Sequence, residues 1–405
     1  MTGVITTRPP ALDSSELTSI LDEIAADAHR RREDPTGDPH PNAALQLARR
    51  HRLGAVRVPA EWGGGGYSKR DFFDLVIRLG AADPDVPHIL RVHWGFVEDR
   101  LRLRHNEEGR PWLAQIVDGV LFGGANSELT DRPPGVYSYD TTLLPDGDGY
   151  RLNGRKFYST GSLYSDYLRI TANDAEGAQR SALIPADRDG VIHADDWDGI
   201  GQAQTGSGTT ILDNVYVHPS EVITFERFGD TGKPRQSQPQ LILHAIAAGI
   251  LRSVAADAAD VVRTRRRSYS WAVSAEPRYD PQLLQVIGTL ESVAFVAQAT
   301  VLAAADAQDR SAAFAFEHGR ADADLEHEAS LLAAKAKVGI EELALRAAGD
   351  LFTVGGASAT RASAHLDRHW RNLRTLFSHN PSPYKARVVG DHLVNGTPLP
   401  LVGFF

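Results

Sequence analysis

Apolar positions recur with two different periods along the chain. From Ser14 to about Arg32, Leu17, Ile20, Leu21, Ile24 and Ala25 fall at helical spacing after a Ser/Asp-rich start, which predicts an amphipathic first helix. A second helix is expected from Pro41 to His51, and helices resume from Lys69 to Ala82 and from Val86 to Asn106. Between the second and third, GAVRVPAEWGGGGY (54–67) ends a short apolar run with four consecutive glycines and an aromatic residue. Four glycines make a turn with no side chains to hinder close backbone approach. The turn has neither the Gly-Lys-Ser/Thr ending nor the strand-to-helix setting of a phosphate loop.

At Gly119 the period changes. The segments VLFGGA (120–125), GVYSY (135–139), YRLNGRKFY (150–158), YLRITA (167–172), SALIP (181–185), GVIH (190–193) and TTILDNVYV (209–217) are short, β-branched or aromatic, and punctuated by turn residues. DGDG (146–149) and Asn153-Gly154 are hairpin signals. About seven strands are expected, ending near Val222, followed by a Pro/Gln/Gly linker from Thr231 to Pro239. The helical period then returns in four Ala-rich stretches, near Pro239–Val273, Pro281–His318, Asp322–Gly349 and Arg361–Phe377. These read as an antiparallel bundle whose flat faces suit oligomerisation. The expected architecture is α+β and mostly α: a helical domain over 1–118, a central β domain over 119–225, and a C-terminal four-helix bundle with a tail over 226–405.

Composition narrows the chemistry. The 405 residues include no cysteine, which excludes disulfides, thiolate metal sites and thiol nucleophiles. A net charge of −9 argues against a nucleic-acid binder. The start of the chain has no apolar signal core, and the run from Leu241 to Val262 is broken by His244, Arg252, Asp257 and Asp260, so it reads as a buried helix rather than a membrane span. A soluble, cytoplasmic protein is expected.

Near the C-terminus, Arg368, Arg371 and Arg374 recur at three-residue spacing on a helix that Asn380-Pro381 must end, since a proline disfavours helix at the residue before it. His379 is left at that terminus, where an imidazole can serve as acid, base or hydrogen-bond donor. His365 and His369 at i and i+4 could hold zinc, but the helix carries three arginines and no third ligand is identifiable, so no metal site is expected. DDWD (195–198) reads as a turn rather than a calcium loop.

Four strings in order carry a resemblance. They are VPAEWGGGGY (58–67), GRKFYSTG (154–161) with Ser165-Asp166, IGQAQTGSGTT (200–210) followed by NVYV (214–217), and FTVGGA (352–357) followed by LDRHWRNLRT (366–375). Over essentially the whole chain they resemble the acyl-CoA dehydrogenase superfamily. The last pair matches its G-G-x-G and R-D-x-R elements. Where many of its dehydrogenases place a glutamate base shortly after R-D-x-R, this chain reads SHNP (378–381), with no carboxylate. That departure, with YKARVVGDHLVNG (384–396), is similar to the branch of two-component flavin monooxygenases typified by dibenzothiophene monooxygenase.

The resemblance implies a monooxygenase supplied with reduced flavin by a separate NAD(P)H-dependent flavin reductase. With O2 as co-substrate it would insert one oxygen atom into a small organic substrate, at S, N or aromatic C, through a C4a-hydroperoxyflavin. Reduced FMN is favoured and FAD is possible. The alternative is an FAD-dependent dehydrogenase or oxidase acting on an acyl-CoA or nitroalkane. Carried onto this sequence, the catalytic residues are His93 and His379. The flavin contacts are Asn126, Ser127, Thr160, Trp197, Gln204, Thr205 and Ser207. RTRRRSYSW (263–271) corresponds to a segment that reaches the flavin phosphate of a neighbouring subunit, with Arg267 and Tyr269 as contacts and Gly355 and Gly356 at the cofactor tail. Such sharing requires a homo-oligomer, expected to be a tetramer.

Overall fold

The computed structural model describes residues 8–34, 36–102, 109–131, 138–223 and 237–400. Helix α1 (Ser15–Glu33) is capped by the Ser14 side chain, which accepts from the Leu17 N–H, and buries Leu17, Ile20 and Ile24. After α2 (Asn42–Arg50), the glycine turn folds back on the apolar run before it. Gly66 N–H donates to the Val58 carbonyl and Tyr67 N–H to that of Val56, each at 2.9 Å. A Cβ at Gly65 would lie 2.8 Å from the Val56 carbonyl oxygen, which explains the need for glycine there. A Ser68/Asp71 capping box opens α3 (Lys69–Ala82), and α4 (Asp85–Arg102) and α5 (Gly109–Val117) follow.

The strands are β1 (Phe122–Ala125), β2 (Thr142–Asp146), β3 (Gly149–Lys156), β4 (Tyr167–Asn173), β5 (Gln179–Pro185), β6 (Val191–His193), β7 (Thr210–Val217) and β8 (Val222–Ile223). They form one sheet in the order β6-β7-β3-β2-β4-β5-β8, with β1 added in parallel to β4. DGDG is the β2–β3 hairpin, Asp146 pairing with Gly149. β2 itself escaped the sequence pattern because it carries Pro145, which cannot donate to a ladder. Only Thr142 of this strand pairs with β4, so the proline breaks nothing there. The strand expected at 135–139 falls mostly outside the described residues, as do most of the 231–239 linker and the end of the helix expected to reach Asn106.

The last region consists of α6 (Ser237–Thr264), α7 (Pro281–His318), α8 (Ala323–Gly355), α9 (Arg368–Phe377) and α10 (Ser382–Asn395). Three boundaries differ from expectation. α6 stops at Thr264 rather than Val273, because Arg265 turns back and its Nη1 donates to the Val354 carbonyl at 2.9 Å. α8 runs on to Gly355, and Gly356 ends it with φ of 59°, so α9 begins at Arg368 instead of Arg361. The segment after Pro381, expected as a tail, is helical. Its Ser-Pro opening is a helix start signal that the sequence reading passed over.

The first helices and the bundle share one hydrophobic core, which includes Leu17, Phe72, Trp94, Ile246, Val301, Leu351 and Phe377. α3 crosses α6 at backbone contact. A Cβ at Gly80 would sit 2.9 Å from the Ile246 carbonyl oxygen, and one at Gly249 would collide with that of Ile77. This crossing fixes α4 between the sheet and the bundle. One face of α4 reaches β1, where Val92 packs on Gly124, and another meets the end of α9.

Candidate functional site

The β6–β7 loop and the connection that follows β3 meet in a hydroxyl chain. Thr160 Oγ1 is 2.8 Å from Ser207 Oγ, and Ser207 Oγ is 2.7 Å from Thr205 Oγ1, which donates to the Gln202 carbonyl at 2.8 Å. Trp197 Nε1 donates to the same carbonyl at 2.9 Å, so the indole and the hydroxyls share one anchor. Gly199 lies under the indole, where any Cβ would strike the ring. Tyr158, held at φ of 56° and exposed, meets Trp197 edge-on at 6.0 Å. Gln204 is fixed through its carbonyl, which accepts from the Tyr164 hydroxyl at 2.7 Å. The structure therefore gathers Thr160, Trp197, Gln204, Thr205 and Ser207 around a hub, Gln202, that the sequence reading did not name.

Gln202 is fully buried in the left-handed region, φ 52°. Its N–H donates to Asn372 Oδ1 of α9 at 2.7 Å, and its Oε1 lies 2.8 Å from His88 Nδ1 of α4. Gly201 makes this possible, since a Cβ there would collide with the Arg371 carbonyl. With Oε1 facing Nδ1, the His88 proton sits on Nδ1 and Nε2 is the basic nitrogen.

His379 closes the other side. Both terminal nitrogens of Arg91 lie 3.4 Å from His379 Nε2. The Asn380 amide donates to Gln240 Oε1 at 2.7 Å and lies 3.3 Å from His379 Nδ1. The α4 residue in contact with His379 is Arg91, and the α4 histidine that acts on its titration is His88, one turn away, which corrects the expectation for His93. His93 points the opposite way, into the core. Its Nδ1 accepts from the Phe122 N–H at 3.2 Å, its ring stacks on Phe122, and its Nε2 faces Gly54. On a helix, residues 88, 91 and 92 share a face that 93 does not. The aromatic neighbours that drew attention to His93 are core contacts.

The imidazoles are held neutral. Burial, then Arg91, pushes His88 down to about 3, and burial pushes His93 down to about 4. His379 is also well below the ordinary value, through burial and then Arg91. An unfolded chain takes up these protons near 6.5, whereas the folded one resists until pH 3–4. Stability is therefore complete above pH 6.5 and falls as the pH drops toward 4. At pH 5 the loss is on the order of 2 kcal/mol for each of His88 and His93. Urea midpoints at pH 7 and pH 5 check this, and equal midpoints would mean that the rings are solvated.

Asn126 and Ser127 follow β1. The Asn126 carbonyl accepts from Lys156 Nζ at 3.4 Å and from the Thr171 hydroxyl at 3.2 Å, and the Ser127 carbonyl accepts from the Phe157 N–H at 2.9 Å. The Ser127 contact brings their loop beside the strand that carries Thr160. Several polar atoms here are buried without partners: Asn126 Oδ1, Ser159 Oγ, Gln202 Nε2 and Arg91 Nε. Orphaned polar atoms beside an indole and a hydroxyl chain fit a planar ligand edged with donors and acceptors, as a flavin ring is. The remaining expected contacts lie elsewhere. Arg265 ties the segment of Arg267 and Tyr269 to the end of α8, where Gly355 and Gly356 sit, and Tyr269 is 71% exposed. His365 lies in a left-handed turn before α9, so it shares no helical face with His369, whose Nε2 meets Asp257 at 2.7 Å.

Near SHNP the carboxylate is Glu341. It is bound to Lys337, to Arg374 at 3.1 Å and to the Ser382 hydroxyl, so it is not poised as a free base. Residues 241–381 match the family described as acyl-CoA dehydrogenase, C-terminal domain. A dibenzothiophene monooxygenase from Mycolicibacterium goodii is 30% identical over 86% of both chains. A probable FMNH2-dependent monooxygenase, SfnC, from Pseudomonas putida is 29% identical over 96% of this chain and 95% of its own. FMN-bound TdsC from Paenibacillus sp. A11-2 superposes with a TM-score of 0.84 at 26% identity, covering 96% of this chain and 99% of TdsC. With a histidine and an arginine where a dehydrogenase would hold its base, and with that likeness along nearly its full length, the chain belongs to the dibenzothiophene monooxygenase family of flavin-dependent monooxygenases on the acyl-CoA dehydrogenase fold.

Proposed function

We propose that the chain takes reduced FMN from a separate NAD(P)H-dependent flavin reductase in the cytoplasm and uses O2 to place one oxygen atom on a small organic substrate. The observation that carries this reading is the pair of neutral imidazoles, His88 and His379, with the cationic Arg91 beside the hydroxyl chain, and with Glu341 already engaged by cations. FMN is favoured over FAD by the FMN-bound structural neighbour and by the printed dependence of SfnC on FMNH2.

Reduced flavin supplies the activation of O2 that no side chain provides. The chain's own residues do the rest. Thr160, with its hydroxyl fixed by Ser207 and Thr205, would hold one edge of a flavin ring together with Asn126 and Ser127. Trp197 would cover the ring and exclude water. His379 holds a proton at one ring nitrogen while Arg91 faces the other, which suits donation to a developing oxyanion. His88, set by Gln202, is the second proton-handling group. His93 positions β1 through Phe122.

Arg267, Tyr269, Gly355 and Gly356 are assigned to the phosphate end of a flavin held by a neighbouring copy. The exposure of Arg267, Tyr269 and Gly356 where Arg265 ties that segment to the end of α8 supports this. α7 also turns Leu284, Phe295, Val296 and Phe316 outward, an apolar face suited to a second copy in a homotetramer. α6 and α7 are each long and apolar enough to cross a membrane, but α6 is mostly buried by its neighbours. A monomer by sedimentation would remove both the tetramer and the shared flavin site.

The test is anaerobic dialysis with reduced FMN and reduced FAD, followed by 18O2 and a panel of organosulfur, amine and aromatic compounds. Retention of reduced FMN and one labelled oxygen in a product are expected. Anaerobic bleaching of oxidised holoenzyme by an acyl-CoA, with no label incorporated, would favour the dehydrogenase alternative.

A further inference from the structure

Several buried or half-buried cations among the described residues meet carboxylates. Arg31 bonds Asp83, Lys69 and Arg57 bond Glu98, Lys156 bonds Glu128, Arg368 bonds Asp257, and Lys337 bonds Glu341. Arg91 departs from this pattern. Its guanidinium lines the cleft between α4 and the end of α9, with both terminal nitrogens directed at the neutral His379 ring. Its Nε is out of reach of solvent and has no hydrogen-bond partner. A guanidinium removed from water without a counter-charge is costly, and the cost is relieved when an anion enters.

The surroundings have the same sign. After burial, the largest influences on His379 among the described residues are Arg91, His88, Lys337 and Lys385, all cations or potential cations. The same two lysines act on His244, which is buried one turn along α6 from Gln240 and has both ring nitrogens unpartnered. Glu341, the carboxylate of this cluster, is committed to Lys337, Arg374 and Ser382. A positive, partly desolvated site whose guanidinium meets only a neutral imidazole, at 3.4 Å, repels cations and gives a neutral apolar ligand nothing to offset the charge.

We infer that the substrate of this site is a small organic oxyanion, a sulfinate, sulfonate or carboxylate, whose charged oxygens are met by Arg91 beside His379. The guanidinium fork matches two such oxygens at once, which a lysine cannot do. The inference rests on the monooxygenase reading only for the identity of the bound anion as substrate. The anion could also come from the flavin itself, and the two sources are separable.

The experiment is calorimetric titration of FMN-loaded enzyme with two matched pairs, methanesulfinate against dimethyl sulfone and acetate against acetamide. At least one anion is expected to bind about tenfold or more tightly than its neutral partner. Arg91→Gln should abolish that preference and Arg91→Lys should restore part of it, both with unchanged FMN fluorescence titrations, and Arg91→Gln with a thermal midpoint no lower than wild type because it removes an unpaired charge. Equal or reversed affinity in both pairs overturns the inference, as does an unaltered preference in Arg91→Gln. If Arg91→Gln instead loses FMN while keeping the preference, the guanidinium serves the flavin and the inference is also overturned. Because binding is read without turnover, an enzyme that selects anions but incorporates no 18O would sink the monooxygenase reading and leave this one standing.

Discussion

His379→Ala is expected to keep FMN affinity within about twofold while lowering coupled oxygenation roughly 10²- to 10³-fold, the range for loss of a positioned proton donor. The reducing equivalents should then appear as hydrogen peroxide. The expectation comes from the two-sided hold on the ring, with Arg91 at 3.4 Å from Nε2 and the Asn380 amide at 3.3 Å from Nδ1. Burial and the Arg91 charge keep the imidazole neutral, so its available proton is the one on a single ring nitrogen. His379→Asn, which retains a donor of smaller reach, should recover part of the coupling. His93→Ala is the contrasting variant. It removes an acceptor for the Phe122 N–H and a stacking partner in the core, so it should lower the thermal midpoint and leave the coupling ratio of the folded fraction near wild type. The readouts are product formed per NAD(P)H consumed and peroxide released. Unaltered coupling in His379→Ala would take that residue out of the mechanism.

Glu128→Ala carries the largest expected cost in stability, roughly 3–5 kcal/mol, because it leaves a buried lysine without its counter-charge. Lys156 is fully buried, and its Nζ donates to Glu128 Oε1 at 2.7 Å. Glu128 also accepts from the Thr141 hydroxyl at 2.6 Å, the Thr141 N–H at 3.1 Å and the Asp140 N–H at 2.7 Å. Burial alone would raise this carboxyl, but the bonds from Lys156, Thr141 and Asp140 outweigh it and bring it below its ordinary value. The same lysine supports the Asn126 carbonyl, so the substitution also loosens the loop assigned to the flavin. Two losses are therefore expected together, a lower urea midpoint and weaker FMN binding. The double variant Glu128→Ala with Lys156→Met should recover much of the stability, since it removes the stranded charge. If the single variant were as stable as wild type, the pair would be solvated and the loop held by other means.

How far the sequence reached can be judged residue by residue. Helical and alternating periods are local, and a span such as Pro281–His318 is bounded by Asp280 as cap and Gly319 as stop, so it was legible to the residue. The change of period at Gly119 and the SHNP substitution are also properties of the chain read in order. Boundaries set by distant contacts were not legible. α6 ends at Thr264 because of a carbonyl on α8, and β2 tolerates Pro145 because almost all of its ladder lies on one side.

The site divides in the same way. By itself the sequence determined the fold class, the missing base, and the placing of Gln204, Thr205 and Ser207 on one turn, since short spacing and residue type suffice for these, whereas the meeting of Thr160 with Ser207 spans two separate connections of the sheet. Only the tertiary structure decided which histidine of α4 acts on His379. His88 and His93 are five residues apart and chemically alike, and the choice depends on how α4 is rotated against α9 and the sheet. The hub role of Gln202 likewise arises from three elements meeting at one amide, and the meeting of Arg91 with an imidazole rather than, among the described residues, a carboxylate comes from packing of α4 on the end of α9. Such facts depend on contacts between residues more than 100 positions apart, and no local pattern encodes them.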